Sequence, residues 1–473
     1  MLFSSPVFLF AFLPLVILLY LLTPKKLKNF FLLLVSTFFY TWGEKELVIL
    51  ILLSAIVDYC CGLIINLGKR KAGLFISIFF NLGILVYFKY SNFVFSNLCE
   101  LLSFFKISIE NSTRFANVIL PLGISFYTFQ TMSYTIDVYR GTIKANKSFI
   151  DFATYVTLFP QLIAGPIVRY SEVQHELNNR EVTISSFSIG VERFVIGLAK
   201  KMIIANNCAY LADAMFSLPN EEMNLLTTWL GVIAYNFQIY YDFSGYSDMA
   251  IGIGKMLGFN FPENFNFPYI SKTIKEFWQR WHMTLSNWFK DYLYIPIGGN
   301  RKGNFRTYFN LTFVFFITGL WHGANWNFII WGLFHGFFIL LERLVLEKKL
   351  IKTPIISHIY FIVVILFSWA LFRSDNLSYA FNYMANMLTL NTNINWEFIN
   401  YYFTNEIKFV LILAFIFAIP INKFIQAKIP QKRTPVLNNA LMVFKPFGLI
   451  VLFIICCTYV ASDTYNPFIY FRF

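Results

Sequence analysis

Apolar runs long enough to cross a lipid bilayer follow one another along this chain of 473 residues. They include residues 6–22, 47–67 and 442–461. A helix needs roughly 20 predominantly apolar residues to span the hydrocarbon core. In that core a helix satisfies all of its backbone hydrogen bonds internally. The sequence therefore predicts an all-α polytopic membrane protein.

Composition supports this class, because 57% of the residues are hydrophobic and only 13% are charged. Soluble domains carry about 25% charged residues. The net charge of +13 comes from Lys and Arg that cluster in short segments between apolar runs, so nucleic acid is not an expected partner. The six cysteines form no C-x-x-C pair, and neither a metal site nor a disulfide framework is predicted. We expect one membrane domain over residues 1–473.

The basic segments predict how the chain crosses the membrane. Lys25, Lys26 and Lys28 follow the first run, and residues 69–71 follow the third, whereas residues 44–46 after the second run are mixed in charge. Lys and Arg mark cytoplasmic loops, so the N-terminus is expected outside the cytoplasm. The same rule makes the tail, residues 462–473, extracytoplasmic.

Three segments are apolar but interrupted. Residues 119–138 are crowded with hydroxyl groups, which indicates a helix packed inside the bundle. Residues 152–168 contain Pro160, Gly165 and Pro166, which predict a broken or re-entrant helix. Residues 187–202 form an amphipathic pattern that ends at two lysines, as expected for a helix at the cytoplasmic interface.

His322 stands at the end of the apolar run 311–320, between Trp321 and Gly323. Burying a polar side chain at membrane depth costs free energy, so it is expected either to have a hydrogen-bond partner or to have a function. An imidazole there is a candidate functional group. His335, thirteen residues later in another apolar run, is interpreted as a packing residue, and His175 and His358 are given no role.

Two carboxylates, Asp242 and Asp248, interrupt the apolar span 227–257. They are interpreted as capping residues or as partners of Lys255 or Arg280, with a direct role in binding or chemistry as the alternative, and Asp242 is a candidate donor-binding residue. The segment 277–289 repeats aromatic residues at helical spacing, which predicts an interfacial or re-entrant helix.

The glycine-rich basic turn 298–306 follows that helix. Its backbone amides and cations suit a phosphate group, which makes Asn300 and Arg301 candidate donor-binding residues. An ordinary positively charged cytoplasmic loop is the alternative interpretation of the same residues.

Four motifs together are similar to the membrane-bound O-acyltransferase superfamily, in its bacterial branch of alginate and peptidoglycan O-acetylation membrane proteins. They read QRWHMTLSNWF, DYLYIPIGGNRKG, GLWHGANW and YYDFSGYSDMAIG. The resemblance implies about a dozen transmembrane or re-entrant helices around a funnel and tunnel that meet at a catalytic histidine. That histidine corresponds to His322, and a second polar position of the family falls on His282.

The ending FIYFRF resembles a terminal motif of bacterial envelope acylation systems, in which a tyrosine relays the acyl group; here that residue is Tyr470. The resemblance implies an O-acyltransferase of the bacterial inner membrane that binds no cofactor tightly. Its donor would be a cytoplasmic thioester, acetyl-CoA. Its partners would be membrane lipid and a periplasmic O-acetyltransferase or esterase-like protein that acetylates an envelope polysaccharide. The acceptor, peptidoglycan, alginate or another polymer, cannot be read from the sequence.

Two other classes stay open. In an ion- or proton-coupled transporter, Asp242, Asp248 and His322 would form the ion path, although no matching broken segments occur in two halves of the chain. A non-catalytic scaffold of a periplasmic acetylation complex is the second.

Overall fold

The computed structural model describes residues 1–106, 118–346, 350, 353–390, 394–421 and 435–462, and the side chains of these except 435–443. Their regular structure is helical, with no strand among the described residues. The helices are α1 Phe8–Leu22, α2 Lys28–Glu44, α3 Val48–Asn66, α4 Arg70–Phe104, α5 Ile124–Arg140, α6 Phe149–Thr157, α7 Phe159–Leu162, α8 Tyr170–Asn179, α9 Ile184–Ala199, α10 Asn206–Phe216, α11 Leu225–Met256, α12 Ile274–Trp278, α13 Met283–Phe289, α14 Gly303–His322, α15 Trp326–Leu341, α16 Pro354–Arg373, α17 Leu377–Asn386, α18 Trp396–Tyr402, α19 Asn405–Phe417 and α20 Pro435–Ala461.

Five helical stretches of the described chain are long and apolar enough to cross a membrane: Lys25–Asn66, Arg70–Phe104, Trp326–Leu346, Pro354–Arg373 and Phe444–Ala461. The first is divided between α2 and α3 at Lys45, whose φ is 48°. The bent pair α18 and α19, at 64°, would add a sixth. The predicted all-α, multi-pass class is confirmed, and the figure of about a dozen helices stays a prediction.

Helices α5 and α11 form the polar centre of the bundle. In α5, 14 of 17 residues are buried, which confirms that the hydroxyl-rich segment packs inside the protein. Helix α11 has 32 residues, which corresponds to about 48 Å, and most of them are buried.

Glycines let two pairs of helices approach closely. Helix α9 packs on α11, and a Cβ atom added to Gly252 would lie 2.6 Å from the carbonyl oxygen of Gly190. Helix α14 packs on α15, where a Cβ atom on Gly332 would lie 2.2 Å from the carbonyl oxygen of Phe315. Small residues at helix contacts are typical of membrane bundles. The second contact fixes the helix that ends at His322.

The predicted break within 152–168 is confirmed. Helix α6 ends at Thr157, the four-residue α7 follows, and irregular backbone leads to α8. Residues 152–168 are buried throughout, so this irregular backbone is covered by protein.

Two helix ends differ from the prediction. The amphipathic helix 187–202 does not end at its lysines: α9 continues through a π-helical segment, Lys200–Ala205, into α10. The aromatic helix 277–289 is interrupted at His282, whose φ is 42°. The interruption has a tertiary cause, because the backbone N–H of Met283 donates to the carbonyl of Asn264 at 2.9 Å and that of Asn266 donates to the carbonyl of Arg280 at 2.9 Å.

Candidate functional site

His322 is the last residue of α14 and lies inside the bundle, with 8% of its surface exposed. Its ring meets those of Trp321, Trp331 and Phe372 edge-on, with centroid separations of 4.9, 4.9 and 5.3 Å. The Nε2 atom has no hydrogen-bond partner among the described residues. The Nε2 atoms of His282 and His335 likewise have no partner in the described part of the chain, so His322 is distinguished by the cavity that it lines.

His322 lines a cavity of about 160 Å³. Its polar lining side chains are Glu44, Lys89, Ser125 and His322, and the remaining wall is formed by residues 120–124, Phe126, Ile163 and Trp321. Because water occupies about 30 Å³ per molecule in the liquid, the cavity has room for an acetyl-sized group beside the imidazole.

Helix α4 holds the end of α14. Its π-helical segment Val86–Tyr90 presents two consecutive side chains to that end. The hydroxyl of Tyr90 donates to the carbonyl of Leu320 at 2.5 Å, and the ammonium of Lys89 donates to the carbonyl of Trp321. The last carbonyls of a helix lack partners within the helix, so these bonds fix the backbone directly before His322.

Trp321 packs against both His322 and His282. The centroid of its ring lies 5.9 Å from that of His282, and the ring of Phe243 meets His282 from another direction at 4.6 Å. His322 and His282, the two histidines predicted from the sequence, thus both contact the indole ring of Trp321. A direct hydrogen bond between them is absent among the described residues, so the idea that His282 orients His322 stays a hypothesis.

Asn264 fixes the protonation of the His282 ring. Its side-chain oxygen accepts from the backbone N–H and the hydroxyl of Thr284, at 3.3 and 2.9 Å. The same oxygen lies 3.0 Å from Nδ1 of His282, so Nδ1 must carry the proton. Nε2 of His282, which has no partner in the described chain, is left as an acceptor.

His335 lies in an aromatic environment. Trp278 Nε1 lies 3.3 Å from its Nδ1, and its ring packs on Trp331 with centroids 4.8 Å apart. It is not among the residues that line the His322 cavity. This agrees with its interpretation as a packing residue. His358, which was given no role, lies in α16, where its Nδ1 is 3.0 Å from the carbonyl oxygen of Ser271.

Asp242 and Asp248 are paired, but with other partners than Lys255 or Arg280. The ammonium of Lys201 lies 2.7 Å from Asp242 Oδ1, and both side chains are buried. Asp248 is held by Lys200 at 2.6 Å and by Arg193 at 2.7 Å. The π-helical segment turns both lysines toward α11. Neither carboxylate lines the His322 cavity.

A second cavity, of about 560 Å³, lies at the other end of α5. Ile124 and Ser125 at the start of α5 line the first cavity, whereas Asp137 and Arg140 at its end line the second. The 12 residues from Ser125 to Asp137 correspond to about 18 Å of helix. Two polar cavities therefore open near opposite ends of one buried helix.

Charged side chains that line the second cavity form ion pairs and hydrogen bonds with one another or with Tyr292. Arg169 lies 2.8 Å from Asp291, and the hydroxyl of Tyr292 donates to Asp137 at 2.8 Å. The guanidinium groups of Arg140 and Arg169 lie 5.1 and 5.0 Å from the centroid of the Tyr292 ring. None of these residues was a candidate in the sequence. Their pairing joins residues more than 120 positions apart, so no local motif signals it.

The turn with Asn300 and Arg301 lies beside the second cavity. Both residues are exposed, and the turn follows Pro296, which lines that cavity. Helix α14 separates them from His322 by 20 residues, or about 30 Å. Tyr470 lies outside the described residues.

Aromatic side chains pack along α5 between its two ends. The rings of Phe129 and Trp288 are stacked at 3.8 Å, and Trp288 Nε1 donates to the carbonyl of Phe129 at 2.9 Å. Phe129 also packs against Trp321, with centroids 5.7 Å apart. The site thus offers a buried base at the end of one cavity and a separate charged cavity at the far end of α5.

Comparison with known proteins places these features in a family. The model of the membrane-bound O-acyltransferase family matches residues 37–382. A probable alginate O-acetylase of Pseudomonas putida is 39% identical over the full length of both chains. A peptidoglycan O-acetyltransferase of Helicobacter pylori is 36% identical over 83% of this chain and 80% of its own. A teichoic acid D-alanyltransferase of Bacillus subtilis is 32% identical over 46% of this chain and 58% of its own.

Proposed function

This chain belongs to the membrane-bound O-acyltransferase family and is an O-acetyltransferase, and we propose that it carries acetyl groups across the bacterial inner membrane. The donor is a cytoplasmic thioester, acetyl-CoA. The final acceptor is a polysaccharide of the cell envelope, such as peptidoglycan or alginate, by analogy with the polymers in the names of the relatives. The observation that carries the proposal is a buried imidazole, with an unpaired nitrogen, at a cavity of acetyl size.

His322 is the general base of the proposed reaction. A phenol with a reference pKa of about 10 is a poor nucleophile near neutral pH, whereas an imidazole with a reference pKa of about 6.5 accepts its proton as the bond to the acetyl carbon forms. General-base catalysis of this kind contributes about 10² to 10⁴ in rate. The sharing of Trp321 by His322 and His282 supports a role for His282 beside the reacting groups.

The donor reaches the site from the side of the second cavity in this proposal. Arg140 and Arg169 lie there, and Asn300 and Arg301 lie beside it. These residues suit the phosphates of a nucleotide-bearing thioester. Asp242 lines neither cavity and is held by Lys201, which supports a role in holding α9 and α10 to α11.

Tyr470 is proposed as the first acceptor. Counting from Ser462, the nine residues to Tyr470 extend to about 30 Å at roughly 3.3 Å each, which is enough to reach back into the bundle. An acetylated phenol is an activated ester, so a periplasmic O-acetyltransferase or esterase-like partner takes the acetyl group and passes it to the polymer. The charge pattern supports this order, because it predicts an extracytoplasmic tail and N-terminus.

A His322→Ala substitution tests the proposal. We expect release of CoA from radiolabelled acetyl-CoA by the purified full-length protein to fall at least about 10²-fold, because the substitution removes the proposed general base. His175→Ala, which changes an exposed histidine of α8, is the matched control and should retain full activity. Undiminished CoA release by His322→Ala would contradict the proposal.

A further inference from the structure

We propose that Lys89 is a further catalytic residue: its ammonium group stabilises the negative charge that develops on the acetyl carbonyl oxygen in the cavity beside His322. The inference rests on the proposed function and adds to it a group that binds the reacting carbonyl.

The position of Lys89 is the first observation. It belongs to a π-helical segment inside α4, one of the helices apolar enough to cross the membrane. A cation on such a helix is costly, so it is retained only where it is paired or used. π-Helical segments within α-helices are frequently found at functional sites. Lys89 and His322 line the same cavity.

The partners of Lys89 are neutral. Its ammonium donates to the carbonyl of Trp321 and, at 3.2 Å, to the hydroxyl of Ser125, and it lies 5.7 Å from the centroid of the Trp321 ring. Among the described residues no carboxylate lies within 4.0 Å of it. Glu44, on the same cavity, accepts the backbone N–H of Leu122 at 3.0 Å. An ammonium has three donors, so one is left for a ligand.

Holding the end of α14 does not explain the charge. The neutral phenol of Tyr90, the next residue, donates the same kind of hydrogen bond to the carbonyl of Leu320. A neutral donor at position 89 could form the hydrogen bond to the carbonyl of Trp321 equally well. What the lysine adds is a positive charge in a small cavity of low dielectric constant, where such a charge has its largest effect on a developing oxyanion.

The proposed step is balanced. The acceptor oxygen adds to the thioester carbonyl carbon while its proton moves to the imidazole of His322, and the former carbonyl oxygen takes up negative charge beside Lys89. The oxyanion then collapses, the carbon–sulfur bond breaks, and the thiolate takes the proton from the imidazolium. The products are an O-acetyl ester and the free thiol of CoA.

Two substitutions of Lys89 test this role. Lys89→Gln keeps a donor for the carbonyl of Trp321 but removes the charge, whereas Lys89→Met removes both. We expect both to lower kcat for CoA release from acetyl-CoA by about 10²-fold, with KM for acetyl-CoA changed less than about threefold, because one oxyanion donor contributes about 10² to 10³ in kcat. Tyr90→Phe, which removes only a neutral bond to the same helix end, should cost less than about fivefold.

The pattern among these variants decides the outcome. Activity of Lys89→Gln near that of the unsubstituted protein, with or without a loss in Lys89→Met, overturns the proposal, because a hydrogen bond would then suffice. So does a loss in Lys89→Gln no larger than that in Tyr90→Phe. If Lys89→Gln is active while His322→Ala is inactive, only this inference fails; if His322→Ala is active, the proposed function itself fails.

Discussion

At the scale of single residues, the tautomer of His282 depends on Asn264. The oxygen of Asn264 accepts from Thr284 and His282, and its amide nitrogen donates to Ser247 at 3.1 Å. Four contacts of a buried amide fix the ring of His282 against Trp321. The tautomer therefore depends on a loop residue that carries no reactive group.

Asn264→Ala should lower the free energy of unfolding by about 1–3 kcal/mol, because it leaves buried donors without a partner. It should also lower CoA release, since the ring of His282 would lose its fixed orientation. Ser247→Ala, which removes only the hydrogen bond from the amide nitrogen of Asn264, is the control. It should have the smaller effect on both stability and CoA release. Thermal unfolding in detergent measures the first quantity. An Asn264→Ala protein as stable as the control would show that the network does not hold the ring.

At the scale of helices, the position of His322 depends on how closely α14 and α15 approach. The Cβ positions of Gly319 and Gly332 would lie 2.3 and 2.2 Å from the carbonyl oxygens of Phe328 and Phe315. Those oxygens belong to helical backbone and cannot move independently. Any side chain at these positions must separate the two helices.

Gly332→Ala should therefore destabilise the protein by about 1–3 kcal/mol, the usual effect of overpacking, and lower activity by displacing the end of α14. Gly83→Ala is the matched control, because a Cβ atom there has no neighbour within 4 Å. That control should be neutral or stabilised by up to about 1 kcal/mol, since Ala favours a helix over Gly. Melting temperatures of the two variants make the comparison, and equal values would contradict it.

At the scale of the whole molecule, our proposal assigns the two cavities to the two sides of the transfer. The phenol of Tyr470, on the extracytoplasmic side in our proposal, receives the acetyl group. Tyr470→Phe should then abolish acetylation of the polymer in cells that contain the partner protein, while melting is unchanged. Mass spectrometry of the C-terminal peptide should find an acetyl group on Tyr470 in the unsubstituted protein only. Normal polymer acetylation by Tyr470→Phe would remove the relay from the mechanism.

The sequence predicts the features that depend on local pattern. The all-α membrane class, the buried hydroxyl-rich helix and the break near Pro160 all follow from residues close together in the chain. The depth of His322 follows from the apolar run that ends at it.

The features that the sequence misses depend on distant contacts. Lys89 stands in an apolar run and contacts a backbone oxygen 232 residues away, and Asp242 pairs with Lys201 instead of with Lys255 or Arg280. The break at His282 is hidden by aromatic residues at helical spacing, because the bonds that cause it come from residues 264–266. Among these features only Lys89 could have been found from the sequence, because it is a single lysine within an apolar run.

The stacked rings of Phe129 and Trp288 have a consequence for the energy of the cell. At a centroid separation of 3.8 Å they leave no space for a water molecule between them. In a membrane at 100 mV, each elementary charge that leaks through dissipates about 2.3 kcal/mol. A continuous column of water between the two cavities would let protons and ions cross and would discharge the membrane potential. In our proposal the thioester therefore passes beside this stacked pair, along a path without a continuous column of water, so that protons and ions stay on their own side.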